Sequence, residues 1–170
     1  MFDLSGFLIW AQELVISFGY IGILFASFIG TASLFLPTYP LSALVAFAVA
    51  LNLNPVVIAL FAGVGSATGE TVGFLFGSGS KQVLIKKHNK KIKEVEKLFE
   101  KYRAWAVIMF ISFMPIVPID LMGIVSGVIG YDIKKFYIAC LVGKTLRYLL
   151  IALVVYYGIS FASETFGFIY

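Results

Sequence analysis

Long apolar blocks, nearly free of charge, dominate the pattern along this chain. Residues 14–36 hold no charged side chain, and residues 41–51 follow the break Leu36-Pro-Thr-Tyr-Pro40. Residues 56–76 carry one charge, Glu70, and residues 104–130 carry one, Asp120, together with Pro115 and Pro118. Residues 136–161 carry two, Lys144 and Arg147. A helix that crosses the hydrocarbon needs about 20 predominantly apolar residues. Blocks 56–76 and 136–157 meet that length as full spans. The other two are interrupted by Pro-x-x-Pro, at Pro37 and Pro40 and again at Pro115 and Pro118. Proline removes a backbone donor and disfavours helix at the residue before it. Broken backbone at membrane depth persists only inside protein or along a wet cavity. Residues 19–51 and 104–130 are therefore expected to be re-entrant hairpins that turn near mid-depth and leave on the side they entered. Kinked spanning helices are the alternative.

The chain also repeats itself. A shift of 78 positions lays Pro37 on Pro115, Pro40 on Pro118, Asn54 on Asp132 and Gly65 on Gly143. Asn54 and Asp132 are good N-cap residues, and Pro55 suits a first helical position. Each half reads as hairpin, short polar turn, spanning helix. Positive charge is expected on the cytoplasmic side. If the second hairpin returns to the side it entered, it leaves Lys134 and Lys135 there too, and the two spanning helices cross in opposite senses. The expected fold is an all-α integral membrane protein, an inverted repeat of re-entrant hairpin plus transmembrane helix, as is common among secondary transporters. Its parts, within a single domain of residues 1–170, are an interfacial helix (1–18), the first hairpin (19–51), a spanning helix (54–78), an amphipathic cytoplasmic surface helix (81–103), the second hairpin (104–130) and a second spanning helix (133–158).

Composition sharpens this picture. Of the 170 residues, 61% are hydrophobic and 13% charged, with a mean hydropathy of +0.99. Soluble domains run about 45–50% apolar and about 25% charged. That excludes a cytosolic enzyme and a nucleic-acid-binding domain. The net charge of +4 belongs to one place: residues 81–103, from Lys81 to Arg103, hold nine of the thirteen Lys and Arg and three of the nine Asp and Glu. Within them Ile92, Val95, Phe99 and Tyr102 recur at helical spacing among lysines. Such a helix lies on a lipid surface, with anionic headgroups as its partners. The lone cysteine, Cys140, forms no intramolecular disulfide.

Ionisable residues inside membrane segments are costly, about 2.5–3.5 kcal/mol each at mid-bilayer on an insertion scale, and they usually face a cavity or one another. Glu70, Asp120, Lys144 and Arg147 are the candidate substrate- or ion-binding residues, with Pro37, Pro40, Pro115 and Pro118 as the hairpin breaks. Glu70 lies 30 residues after Pro40 and Arg147 lies 29 after Pro118, which makes Glu70–Arg147 the first candidate for an ion pair. The alternative role for these charges is packing alone. No nucleophile–base constellation, metal-ligand cluster or phosphate-binding loop is present, so neither an enzyme nor a cofactor or metal is expected.

Four blocks resemble a known family. Gly65-Ser-Ala-Thr-Gly-Glu-Thr-Val-Gly-Phe-Leu-Phe-Gly77 is similar to the Gly-x-x-x-Gly-Asp/Glu block of the DedA superfamily, also called SNARE-associated Golgi or VTT-domain proteins. Glu-Lys-Leu-Phe-Glu-Lys-Tyr-Arg-Ala-Trp-Ala resembles its amphipathic helix, and Phe110-Ile-Ser-Phe-Met-Pro-Ile-Val-Pro-Ile-Asp120 its second hairpin. Gly143-Lys-Thr-Leu-Arg-Tyr148 resembles a motif of the short YqaA-like branch. Ser112 stands where the family carries an arginine, which leaves Lys144 and Arg147 to supply positive charge. The resemblance implies a translocator of membrane lipid or polyprenyl phosphate, flippase- or scramblase-like, in a prokaryotic plasma membrane with residues 81–103 cytoplasmic. Proton coupling through Glu70 and assembly into a homo-oligomer stay open. The rival classes are a small-solute or ion exporter and a non-transporting membrane-homeostasis factor.

Overall fold

The computed structural model describes residues 4–33, 39–81, 92–94, 97, 99, 102–114 and 120–166. Seven α-helices are delimited among them: α1 Leu4–Phe18, α2 Tyr20–Ala32, α3 Tyr39–Ala50, α4 Pro55–Gly79, α5 Ala104–Phe113, α6 Asp120–Ile129 and α7 Ile133–Phe166. Two of them, Pro55–Gly79 and the stretch Ile133–Phe161, are long and apolar enough to cross a membrane. Pro37, Pro115 and Pro118 lie outside the described residues, and Pro40 is the second residue of α3.

Local chemistry sets the helix boundaries. The Asn54 side chain accepts from the backbone N–H of Val56 at 3.0 Å and of Val57 at 3.4 Å, with Pro55 at the first helical position. That satisfies donors the helix leaves unpaired. Asp132 Oδ1 does the same for Lys135 N–H at 2.9 Å and starts α7. Gly130, at φ 81°, turns the chain out of α6, a conformation that costs glycine little.

Contacts between helices advance in a regular order. Tyr20 Oη accepts from Asn54 N–H at 2.9 Å. Further along, a Cβ at Gly65 would strike the Leu24 carbonyl and one at Gly69 the Phe28 carbonyl. Helices α2 and α4 therefore run in parallel, close enough that only glycine fits between them. In the second half, Trp105 shares a groove with Lys135 and Ile138, while Gly143 meets Met109 and Ser112; α5 runs parallel to α7. Helix α6 lies parallel to α4, with Gly123 against Glu70 and Phe74 and Gly127 against Phe74 and Ser78. Across the centre, Ser66 meets Tyr148 and Glu70 meets Lys144. One index rises as the other falls, so α4 and α7 are antiparallel. It follows that α5 and α6 are antiparallel to each other, the geometry of a helical hairpin. The halves also exchange partners: α3 packs on α7 and α6 packs on α4.

Two apolar cores are stacked along α4 and α7. One gathers Ile58, Ala59 and Ala62 with Tyr148 and Ala152, and it takes in Leu41, Leu44 and Val45 of α3. The other gathers Ala67 and Phe74 with Phe136, Ala139 and Cys140. Helix α1 contributes Ala11 and Val15 to the first core. It runs antiparallel to α2, Leu14 meeting Gly22 and Phe7 meeting Gly30. Large apolar side chains are exposed on the long and short helices alike: Phe25, Leu75, Phe110 and Val154 are each more than half exposed.

Within residues 81–103, two described members of the apolar stripe face protein: Ile92 is buried, and Phe99 packs on the second core, its ring 5.8 Å from that of Tyr131. Tyr102 is 53% exposed. Lys93, Glu94 and Lys97 remain exposed, and Val95 lies outside the described residues.

Candidate functional site

Between the two apolar cores lies a band of buried polar side chains. Glu70 is 3% exposed, Lys144 1%, Arg147 3% and Ser66 0%. Lys144 is ten residues past Lys134, about 15 Å along an α-helix, which is half the thickness of a hydrocarbon core of about 30 Å. Were Lys134 at a membrane surface, the band would sit at mid-depth.

Lys144 Nζ lies 2.9 Å from Glu70 Oε1 and donates to the Ser66 carbonyl at 3.2 Å. The ion pair corrects the expected partner of Glu70, which is Lys144 and not Arg147. Antiparallel packing of α4 and α7 is the reason. Glu70 meets Lys144, and one turn back along α4 Ser66 meets Tyr148, one turn on along α7, with their hydroxyls 2.9 Å apart. Thr31 Oγ1 of α2 adds a contact of 3.1 Å to the same Ser66 carbonyl.

Arg147 is turned away from this pair. Its Nη2 donates to Ser42 Oγ of α3 at 3.3 Å, and its guanidinium carbon lies 5.7 Å from the Tyr148 ring centre. The Nε–H makes no hydrogen bond, and no carboxylate forms an ion pair with Arg147 among the described residues. Glu70 Oε2 also accepts no hydrogen bond there. With Glu70 and Lys144 cancelling, the described part of the band carries one positive charge in excess.

Two further groups border the band. Ser112 Oγ contacts Cys140 Sγ at 3.6 Å, behind Lys144 on α7. The first turn of α6 reaches Glu70 through Gly123. Asp120 opens that helix, and its side chain lies outside the described residues. Outside the membrane segments, burial first and the Asp132 carboxylate second push the Tyr131 phenol above its ordinary range, so it stays a neutral hydroxyl. Spacing alone missed Ser42, Ser66 and Tyr148. The repeat could have found two of them, because applying the 78-residue shift to Lys144 and Glu70 yields Ser66 and Tyr148.

The family model of the VTT domain matches residues 36–157, more than two thirds of the chain. No curated protein and no solved structure matches it. The matched segment runs from the start of α3 to α7 and includes Glu70, Lys144 and Arg147 alike. The chain belongs to the VTT-domain family, the DedA/SNARE-associated Golgi group of membrane-associated proteins.

Proposed function

We propose that the protein moves a lipid with an anionic headgroup, a phospholipid or a polyprenyl phosphate, from one leaflet to the other. The headgroup would cross at the buried band while the chains stay in the bilayer. One observation carries this reading: Arg147 is 3% exposed, with one long hydrogen bond and no carboxylate partner among the described residues. An arginine kept at mid-depth without a counter-charge is expensive, and a phosphate accepts its planar fork bidentately. The first turns of α3 and α6 flank the band, through Ser42 and Gly123. Their positive helix ends add to the field that an anion would meet.

Three features support the membrane placement behind this reading. Large apolar side chains are exposed along the helices while Glu70, Lys144 and Arg147 are buried, the reverse of a water-soluble fold. The reciprocal packing of α3 on α7 and α6 on α4 favours an inverted repeat. The antiparallel α5 and α6, each only ten residues long, favour a hairpin that re-enters the membrane, with residues 81–103 on the cytoplasmic side. A packing role accounts for Glu70 and Lys144, which satisfy each other, but it leaves Arg147 without a purpose.

The test is transfer of fluorescent phosphatidylglycerol in proteoliposomes. Arg147→Ala is expected to slow it roughly tenfold, the loss of one charge-assisted hydrogen-bonded contact, and Arg147→Lys to retain part of it. Unchanged transfer by folded, inserted Arg147→Ala protein would discard the proposal. Equal transfer of neutral and anionic lipids would replace it with non-selective scrambling.

A further inference from the structure

The N-terminal end of α7 has features that the buried band does not use. Lys134 and Lys135 are adjacent and exposed. Ile138, 58% exposed, stands one turn below both, at i+4 and i+3. An apolar groove runs down each side of this rib. One, of about 280 Å³, lies between α5 and α7; Lys135 is its only charged wall, beside Trp105, Met109 and Val142. The other, of about 380 Å³, lies between α4 and α7, walled by Thr71, Ile133 and Tyr137 with Lys134 as its only charge. Ile138 belongs to both.

We propose that this end of α7 seats one two-chain anionic phospholipid, its phosphate between Lys134 and Lys135 and one acyl chain in each groove. Charge selects the headgroup. Lys81 Nζ lies 3.9 Å from where a Gly130 Cβ would sit, which brings a third ammonium to the same turn. Against these cations stands Asp132, whose Oδ1 is occupied with the Lys135 N–H. The excess is positive, and basic pockets between membrane helices at the cytoplasmic face suit anionic headgroups. On the membrane placement proposed above, on which this step rests, the lysines lie at headgroup level and both grooves descend from there into hydrocarbon, which selects a lipid over a soluble anion. Two grooves on either side of one rib select two chains over one. The seat is separate from the Arg147 site and does not depend on translocation.

The test is lipid binding to the purified full chain in a nonionic detergent, followed by native mass spectrometry with dioleoyl phosphatidylglycerol, its lyso form and dioleoyl phosphatidylcholine. One phosphatidylglycerol should bind before the other two. Replacing both lysines, Lys134→Gln with Lys135→Gln, should weaken it roughly tenfold or more, given the contribution of each lysine near an anionic surface. Lys93→Gln with Lys97→Gln should leave this first site intact, and so should Arg147→Ala. Ile138→Trp, which fills both grooves, should weaken phosphatidylglycerol and phosphatidylcholine alike. In a Trp10→Phe background, phosphatidylglycerol brominated on its chains should quench Trp105 fluorescence. Retention of phosphatidylglycerol by the Lys134/Lys135 variant overturns the proposal. So do equal losses in the Lys93/Lys97 variant, lyso lipid binding as tightly as the two-chain form, or an unquenched Trp105. Loss of transfer in Arg147→Ala with lipid binding intact would separate this site from the translocation site.

Discussion

The three buried charges should respond differently to removal. Glu70→Gln leaves Lys144 facing a neutral amide with its ammonium still buried. Stranding one partner of a buried pair costs about 3–5 kcal/mol in soluble proteins, so a clear fall in the thermal midpoint in detergent is expected. Adding Lys144→Met to that variant should recover most of the loss, since the buried charge is then gone. Strictly additive effects of the two substitutions would show that they are not coupled. Arg147→Met strands no carboxylate among the described residues. Its stability is expected to stay within about 1 kcal/mol of the parent, or to rise. A large fall in that variant would reveal a counter-charge for Arg147.

At the scale of elements, close helix approach makes the strongest demand on sequence. Gly65 and Gly69 let α2 lie against α4, and a Cβ at Gly65 meets the Leu24 carbonyl, which is backbone and has no rotamer by which to yield. Gly65→Ala should therefore destabilise by about 1–3 kcal/mol, the range for overpacking. Gly158 in α7 has nothing within 4 Å of an added Cβ. Gly158→Ala is expected to be neutral or to stabilise by up to about 1 kcal/mol through helix propensity. Thermal midpoints of the two variants in one detergent decide this, and equal effects would contradict the packing.

At the scale of the whole molecule, the proposed membrane placement implies a sidedness that labelling tests. Cysteines introduced at Arg103 and at Tyr131, at the two open ends of the α5–α6 hairpin, should react with an impermeant reagent from the same face. A cysteine at Asn52, between α3 and α4, should react from the other. Cys140 is buried and gives little background. Reaction of Arg103 and Tyr131 positions from opposite faces would make α5 and α6 a kinked span and dissolve the inverted repeat.

Some of this was decided within a few residues and is therefore readable in the chain. Asn54 and Asp132 start helices because a cap needs only one side chain and the N–H groups just after it. The apolar blocks declare spans because length and composition suffice. The family blocks at 65–77 and 143–148 mark the elements that carry the buried charges, since glycines for close packing and ionisable residues at mid-block are each visible singly. Pairing belongs to another level. Glu70 met Lys144 because α4 and α7 pack antiparallel; distance from a proline carries no trace of that. Ser42 reached Arg147 because α3 packs on the spanning helix of the other half. Phe99 found protein in place of lipid because Tyr131, more than thirty residues on, folds back to meet it. The sequence by itself determined where helices begin, which of them can span, and which charges lie in apolar surroundings, because these are properties of short stretches of chain. Only the tertiary structure decided which charges neutralise and which one is left over, because that depends on how distant helices face one another.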